Sequence, residues 1–261
     1  MRLLVSGGRE FDDYEFIVKM LNRLHASRSI TELIHGAARG VDTICGYWGD
    51  ELGIKVTPVP AKWQDEFGNF NKHAGFDRNA LMLSQHKPDA LMAFPGGGGT
   101  LDMVSRAEKV LQEIWQSRWV YFAKESPEFG FMSNFAEGYG FTDDDGIEWP
   151  TSEHYYQAMK SPMIDEQQYV LGAADAFHAK KRGREINVTT DWDHRKIKVM
   201  RKVLSYKFAA GTEAAGLLRD TNIDYLVEYA PWGDTFWGVD KDKQGQNWLG
   251  RLLMEQRDII S

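Results

Sequence analysis

Apolar residues in the first 117 positions fall into four short runs, each followed or closed by glycine or proline. The runs are RLLVS, ELIHG, IKVTPVP and DALMAFPGG. A segment long enough for a helix separates each run from the next, and this alternation is typical of a parallel sheet with helices on both faces. The pattern therefore predicts an α/β domain built on a parallel sheet.

The pattern changes after Ser117. The run RWVYFAKES predicts a strand that begins a new domain, and short strands are expected around the acidic turn TDDDG. Helical periodicity follows at about 152–162, 164–174, 192–208 and 213–220. We expect a helix-rich α+β domain here. The boundary lies within 115–120, which gives domains of 1–117 and 118–261 with little or no linker.

One of the predicted helices, within the segment WPTSEHYYQAMK, carries a polar stripe. Pro150 suits its first turn, and Glu153, Gln157 and Lys160 fall at i, i+4 and i+7 on one side. A carboxylate can protonate a leaving group or activate water, and a lysine can pair with phosphate or attack a sugar aldehyde. Spacing alone leaves two interpretations open. The stripe lines a catalytic cleft walled by aromatic residues such as Trp149, or it is the solvent face of an ordinary amphipathic helix.

Composition limits the classes of binding partner that we expect for this chain. A formal charge of −7 and a pI near 5.5 argue against long-range attraction to nucleic-acid backbone and favour a small-molecule substrate, with a local basic groove left open. Cys45 is the only cysteine, so we expect no disulfide framework and a reducing compartment. His154 and His178 lack a second ligand at helical spacing, and we predict no metal and no cofactor. With no signal-peptide pattern and no stretch of about 18 apolar residues, we expect a soluble, cytoplasmic protein that does not enter a membrane.

Glycines follow three of the predicted strands of the first domain, and arginine accompanies them at two of the three. In parallel sheets, ligands bind beyond the carboxyl ends of the strands. Glycine lets backbone amides approach phosphate closely, and the helix that begins near Thr100 would direct its positive end at the same place. The alternative is that each glycine only forms a tight turn. Together the positions favour nucleotide binding.

The same segments carry a family resemblance. PGGGGTLDM resembles the PGGxGTxxE signature of the phosphoribohydrolases that activate cytokinins, in the SLOG superfamily, and the runs GGRE and HGAARGVD with Arg78-Asn79 are similar to its small bacterial and phage members. The resemblance covers most of 1–115 and implies a Rossmann-like nucleotide-binding domain. The expected binding residues are Gly7, Gly8, Arg9, Gly36, Arg39, Asp42, Arg78, Gly96, Gly97, Gly99 and Thr100.

The resemblance fails at the catalytic position of that signature. Met103 replaces the final glutamate, and a thioether cannot carry out acid/base chemistry. Asp102 is adjacent, but on a helix its side chain points about 100° away. We expect the first domain to bind a nucleotide without turning it over, and the alternative is hydrolysis of nucleoside monophosphates through Asp102.

Five spaced motifs mark the second domain. They are GFMSNFA, WPTSEHYYQAMK, AKKRGRE, DWDHRKIKVM and WGVDKDKQGQNWLGRLLMEQR. In order and spacing they resemble the NADAR (YbiA-like) family from about Tyr121 to Arg257. Members are similar to N-glycosidases that cut the bond between ribose and an amine nitrogen, acting on phosphorylated riboflavin-pathway intermediates or on ADP-ribose attached to guanine.

The resemblance also implies which residues act. Glu153, Lys160 and Asp240 would be catalytic. Asn134, Trp149, Arg184, Trp192, Trp237, Gly238 and Asn247 would bind substrate. Asp240 departs from the pattern, since some members read WGDG where this chain reads WGVD. Arg184 and its lysine neighbours suit a phosphate, and the alternative for AKKRGRE is a solvated basic face.

The leading functional hypothesis is an N-glycosidase with a nucleotide-binding first domain. It would hydrolyse the ribose–nitrogen bond of an ADP-ribosylated base or of a phosphorylated ribosylamino-pyrimidine. Glu153 would stabilise the charged sugar or activate water, or Lys160 would attack C1 of the opened ribose to give a Schiff base. The alternative is a binder or sensor of ADP-ribose-derived signalling nucleotides. ADP-ribosylated nucleic acid as substrate and a homo-oligomeric state are left open.

Overall fold

A computed structural model describes residues 1–64 and 67–261 and divides them into two units, Met1–Arg118 and Trp119–Ser261. The division falls between Arg118 and Trp119, and the expected domains met between Ser117 and Arg118. None of the helices in the described ranges is long and apolar enough to cross a membrane.

The first unit is a five-stranded parallel sheet with four helices, which confirms the predicted Rossmann-like α/β fold. Its strands are β1 (Arg2–Ser6), β2 (Glu32–His35), β3 (Lys55–Pro58), β4 (Ala90–Ala93) and β5 (Glu113–Gln116), in the order β3-β2-β1-β4-β5. Its helices are α1 (Tyr14–Arg28), α2 (Val41–Glu51), α3 (Ala74–His86) and α4 (Gly98–Ala107). Strands β2 and β4 are buried along their whole length, which explains their uninterrupted apolar runs. The half-buried edge strand β5 lacks such a run and was not predicted.

The strand order reverses at β1. Leu3 of β1 pairs with Leu33 of β2 on one side and with Ala90 of β4 on the other. The chain leaves β1 towards β2 and β3 and then returns to place β4 on the opposite side of β1. The carboxyl ends of β1 and β4 therefore flank the crevice where open α/β sheets bind their ligands.

The second unit is helix-rich, as predicted. It contains two parallel strands, β6 (Trp119–Phe122) and β9 (Tyr225–Glu228), and the antiparallel pair β7 (Phe141–Thr142) and β8 (Glu148–Trp149). Its helices are α5 (Ser152–Ala158), α6 (Ile164–Leu171), α7 (Ala176–Arg182), α8 (Trp192–Lys207), α9 (Glu213–Asp220) and α10 (Trp248–Ile260). Parallel strands need a crossover, and here most of the unit lies between β6 and β9. Phe122 pairs with Glu228, so both strands end at the same edge.

Four helices differ from the expectation, and one of them, α6, ends at Leu171 where the periodicity predicted a helix to about residue 174. Helix α5 ends at Ala158, whereas the periodicity predicted a helix to about residue 162. Helix α7 was not predicted because its seven residues, AFHAKKR, are too short to show a clear apolar period. Helix α10 was treated only as part of a motif, although its buried leucines recur at helical spacing.

Candidate active site and nucleotide pocket

A cavity of about 630 Å³ lies in the second unit, at the carboxyl end of β9 and beside α5 and α7. It collects residues from segments that lie far apart in the sequence. The predicted site residues that line it are Asn134, Glu153, Lys160, Arg184 and Trp237.

Glu153 enters the cavity from the first turn of α5. The side chain of Thr151 caps the helix by accepting from the His154 amide, and the Glu153 amide donates to the carbonyl of Asn134 at 3.0 Å. Its carboxylate accepts from Nε2 of Gln157 at 2.7 Å, and only 4% of the residue is exposed. Burial raises the pKa of the Glu153 carboxyl, while Gln157 and the nearby lysines act in the opposite direction. The group is thus a desolvated acid/base candidate held in one orientation.

Lys160 reaches the same cavity from beyond the end of α5. Its amide donates to the carbonyl of Gln157 at 3.3 Å, and its own carbonyl accepts from the Thr189 amide at 2.9 Å. The ammonium lies 5.9 Å from the ring centroid of Tyr156. Burial lowers the pKa of the Lys160 amine, and the Glu153 carboxylate acts to raise it. More neutral amine is therefore available than in a free lysine, as a nucleophilic role requires.

Aromatic rings wall the cavity around Tyr156. Its ring meets Trp237 at a centroid distance of 5.5 Å and Trp192 at 5.1 Å, both edge to face. Trp237 lines the cavity, whereas Trp192 packs behind Tyr156 and does not. Phe177 and Trp232 also line it and are about two-thirds exposed, at 67% and 66%. Exposed rings at a cavity suit stacking on a base.

Trp149 does not line this cavity. Its indole Nε1 donates to Asp143 at 2.7 Å and its ring packs edge to face on Tyr155 at 5.1 Å. Asp143 also accepts from the Ile147 amide at 2.9 Å, within the turn between β7 and β8. In this structure Trp149 therefore stabilises that hairpin.

The basic motif contributes two cations to the cavity. Lys180, on α7, and Arg184, just beyond it, both line the wall, whereas the exposed Lys181 does not. The side chain of Asp175 caps α7 by accepting from the His178 amide at 2.8 Å. The helix thus turns one side of a run of basic residues toward the cavity, where a phosphate would bind.

Asn134 offers a free acceptor. Its Oδ1 atom is buried and has no hydrogen-bond partner among the described residues. Lys207 stabilises the loop that carries Asn134, since its Nζ donates to the carbonyl of Ser133 at 2.8 Å. A buried, unpaired amide oxygen at a cavity suits a sugar hydroxyl.

The last motif supports the cavity without entering it. The side chain of Asn247 forms hydrogen bonds with the backbone of strand β9. It donates to the carbonyl of Leu226 at 2.8 Å and accepts from the Glu228 amide at 3.0 Å. Asp240 accepts from the amides of Asp242 and Gln244, both at 2.9 Å, and so closes a turn. The structure does not bring Asp240, Gly238 or Asn247 into the wall.

Three acids that sequence reasoning missed do line the cavity. They are Glu125, Asp234 and Glu228, the last residue of β9. Burial raises the pKa of the Glu228 carboxyl to about 8, and the charges of Asp234 and Glu153 act in the same direction. The available signal was a carboxylate that ends the apolar run YLV, at the edge where parallel strands place their functional groups.

The first unit has its own cavity, of about 360 Å³, at the carboxyl ends of β1 and β4. Most of the predicted nucleotide-binding residues meet there. Those that line it are Gly7, Gly8, Arg9, Gly36, Asp42, Arg78, Gly97, Gly99 and Thr100. Helix α4 begins at Gly98, so its unpaired amides face this space, and such helix ends bind phosphate.

Asp42 and Arg78 add charge to this cavity. The Asp42 carboxylate accepts from the Ala38 amide at 3.1 Å, and burial raises the pKa of the carboxyl while Arg78 opposes that rise. Arg78 donates to the carbonyl of Gly36, and its Nε has no partner within the described part of the chain. An acceptor for a ribose hydroxyl and a donor for an anion thus lie at one site.

Two predicted residues of the first unit lie outside the cavity. Arg39 is exposed and pairs with Glu10. Gly96 packs against its neighbours, since a Cβ there would lie 2.8 Å from the Cβ of Thr100 and 2.9 Å from the Gly8 amide. Both fall outside the cavity wall.

Neither Asp102 nor Met103 lines this cavity. Met103 is fully buried in the core. The Asp102 carboxylate accepts from Nε of Arg106 at 2.8 Å and from Nδ2 of Asn79 at 2.9 Å. Across residues 1–64 and 67–261, no group of three or more His, Cys, Asp or Glu side chains is arranged to hold a metal ion.

Two family descriptions match the chain. The NADAR domain matches residues 121–261, more than half of the chain. The YspA, cpYpsA-related SLOG family matches residues 1–65.

Curated relatives match the chain at about one-third identity. N-glycosidase YbiA of Escherichia coli (strain K12) is 36% identical over 163 residues, which cover 61% of this chain and 98% of that protein. Riboflavin biosynthesis protein PYRR, chloroplastic, of Zea mays is 34% identical over 201 residues. That match covers 70% of this chain, which spans 31% of the maize protein. The NMR structure of Escherichia coli YbiA matches with a TM-score of 0.51 and 34% identity, over 59% of this chain and 90% of that one.

Proposed function

The chain belongs to the NADAR domain family, and from this membership we propose that its second unit hydrolyses the bond between a ribose and the nitrogen of a base or amine. Relatives named N-glycosidase support the enzyme class, a hydrolase that acts on N-glycosyl bonds. The substrate that we propose is an ADP-ribosylated base or a phosphorylated ribosylamino-pyrimidine of the riboflavin-pathway type. The name of the maize relative favours the second.

One observation carries this proposal. A single cavity holds the buried carboxyl of Glu153, the amine of Lys160 and the phosphate-binding candidates Lys180 and Arg184. An N-glycosidase needs a group that stabilises positive charge on the sugar, a group that activates water, and cations for a phosphorylated substrate. A solvated amphipathic helix would not have a glutamate that is 4% exposed.

Two routes use these groups. In the first, Glu153 stabilises the developing sugar cation and takes a proton from the attacking water. In the second, the ribose opens, the Lys160 amine attacks C1 to give a Schiff base, and water then resolves it. The lowered pKa of Lys160 is what the second route requires, and trapping of the Schiff base decides between the two routes.

The test is release of the ribose product from ribosylaminopyrimidine 5-phosphate or from ADP-ribosylated guanine nucleotide. Borohydride added during turnover should trap the Schiff base as a mass increase on Lys160, seen by peptide mass spectrometry. Lys160→Ala should abolish both turnover and the adduct, and Lys181→Ala is the matched control because that exposed lysine does not line the cavity. Full turnover in both Glu153→Gln and Lys160→Ala would overturn the site assignment.

For the first unit we propose nucleotide binding without hydrolysis. The support is that Asp102 is engaged by Arg106 and Asn79, and Met103 is buried. Mass spectrometry after mixing the full chain with AMP, NAD or ADP-ribose separates the alternatives. Unchanged ligand supports binding alone, whereas free adenine from AMP would support hydrolysis through Asp102. If every substrate in both tests is returned unchanged, the chain is a binder or sensor and the glycosidase proposal fails.

A further inference from the structure

Glu228 is one of the acids of the cavity that neither the polar stripe nor the motifs of the sequence point to. It ends strand β9, whose parallel pairing with β6 continues past it, since the Tyr229 amide donates to the carbonyl of Phe122 at 2.8 Å. Its own carbonyl accepts from the Val239 amide at 2.8 Å, and its amide donates to Oδ1 of Asn247 at 3.0 Å. The backbone of Glu228 is therefore fixed on both sides.

Two motif residues that stay out of the cavity both contact Glu228. A Cβ on Gly238 would lie 2.5 Å from the carbonyl oxygen of Glu228 and 3.1 Å from its Cβ, so only glycine allows this approach. Asn247 adopts a left-handed conformation, with φ of 53°, and holds both Leu226 and Glu228 by hydrogen bonds. The effect of both residues is to place the Glu228 side chain.

The surroundings of Glu228 differ from those of Glu153. Glu228 faces the acids Asp234 and Glu153, with Lys180 as its opposing cation. Glu153 also lies near Asp234 and Lys180, but unlike Glu228 it accepts a hydrogen bond from Gln157 and lies near a second cation, Lys160. With a pKa of about 8, Glu228 keeps its proton at neutral pH. Two carboxyls in one cavity whose surroundings differ in this way suit an acid and a base.

We propose that Glu228 is a further catalytic residue, the general acid that protonates the leaving nitrogen, and that Asn247 and Gly238 are its positioning residues. The proposal rests on the proposed N-glycosidase function. As the bond between C1 and nitrogen breaks, its electron pair stays on nitrogen and takes the Glu228 proton, which leaves a carboxylate. On the first of the two routes, water adds its oxygen to C1 and gives a proton to Glu153, and exchange with solvent returns both groups to their starting states. The products are the free amine and the ribose hemiacetal.

The test compares two leaving groups in full-length protein. The amine substrate, ribosylaminopyrimidine 5-phosphate, needs a proton to leave, whereas 4-nitrophenyl β-D-ribofuranoside 5-phosphate does not. Glu228→Gln should lower kcat on the amine substrate by about 100-fold or more and leave cleavage of the nitrophenyl substrate nearly unchanged. Asn247→Ala should show the same selective loss, which a merely structural role would not produce. Glu148→Gln is the matched control, since that exposed glutamate lies outside the cavity wall.

The pH profile is the second readout. Because the acid must be protonated, kcat of the wild type on the amine substrate should fall as the pH rises through about 8, and Glu228→Gln should lack this limb. Equal losses on both substrates, or a fall near pH 8 that persists in Glu228→Gln, would overturn the assignment. If the variants do not fold, a wild-type kcat that stays constant from pH 7 to pH 9 would overturn it as well. Wild-type cleavage of neither substrate would instead contradict the proposed function, and cleavage of the amine substrate alone would contradict the direct attack of water on which the proposal depends.

Discussion

The two cavities of this chain are lined by different kinds of residues. Seven glycines line the cavity of the first unit, and among the described residues none lines that of the second. The second cavity instead holds Glu153, Glu228 and Lys160, whose pKa values are displaced by burial. Backbone amides and helix ends suffice to bind a phosphate. Proton transfer and nucleophilic attack need an acid, a base and an amine removed from water, and the second cavity has them. The buried Asp42 and the half-buried Arg78 at the first cavity instead suit ligand binding.

The units also use acids differently. In the first unit Asp42 lies at the cavity, whereas Glu32 begins β2, at the end of the sheet opposite the cavity, and accepts from Arg2 and Thr57. In the second unit the buried Glu153 and the half-buried Glu228 line the cavity. The charge of Glu32 therefore serves stability, whereas Glu153 and Glu228 serve the proposed chemistry at a cost to stability.

Paired substitutions of one acid in each unit test this comparison most strongly. Glu153→Gln should lower kcat for ribose release by about 10²–10⁴-fold, because the amide can neither take a proton nor stabilise positive charge. Asp102→Asn should leave that rate unchanged, since Arg106 and Asn79 already engage its carboxylate. Steady-state kinetics on one substrate measures both. An Asp102→Asn variant as slow as Glu153→Gln would remove the proposed division between binding and chemistry.

The sequence predicted the first unit better than the second because its signals are local. Each buried strand carries its own apolar run, and the strand-end glycines follow directly, so most of that cavity could be predicted without knowing the strand order. Glu153 and Lys160 were paired correctly by spacing, although α5 ends at Ala158. The Lys160 carbonyl accepts from the Thr189 amide, a tertiary contact that helical periodicity cannot reveal.

Glu228 and Asp240 show what local reasoning cannot supply. Glu228 reaches the cavity only because β9 pairs with β6, about 100 residues earlier in the chain. Asp240 fitted the family motif to within one position, yet its carboxylate closes a turn with Asp242 and Gln244. A single acid after a strand and an acid in a turn look alike in sequence, and only packing distinguishes them.

Lys207 tests the cost of burying charge in the second unit. It is 2% exposed, and burial lowers the pKa of its amine to about 7. Between about pH 7 and 10.5 the unfolded chain therefore binds more protons than the folded one, so stability should rise with pH across that window. Each pKa unit is worth about 1.4 kcal/mol, so the window amounts to several kcal/mol.

The measurement is urea unfolding of the wild type and Lys207→Met at several pH values between 7 and 10. The wild type should gain stability relative to Lys207→Met as the pH rises. Lys198→Met, an exposed site on the same helix, should show no such pH-dependent difference. A constant difference between wild type and Lys207→Met would contradict a buried, titrating amine.

Glu32 in the first unit is the opposite case, because the fold stabilises its charged form, whereas it destabilises the charged form of Lys207; the expected effect is smaller. The hydrogen bond from Thr57 and contacts with Lys55 and Arg2 lower the pKa of its carboxyl to about 2, despite the opposing effect of burial. The stabilisation is therefore present above the ordinary value of 4.5 and is lost as the pH falls through about 2.

Glu32→Gln should lower the free energy of unfolding at pH 7 by about 1–3 kcal/mol, because it weakens charge-assisted hydrogen bonds. Glu113→Gln, which removes the exposed pair with Arg28, should cost less than about 1 kcal/mol. Unfolding measured at pH 7 and pH 3 should show the Glu32→Gln penalty shrinking in acid. A penalty that grows in acid would mean that this carboxylate, like the acids of the second unit, is buried at a cost, and the contrast between the units would fail.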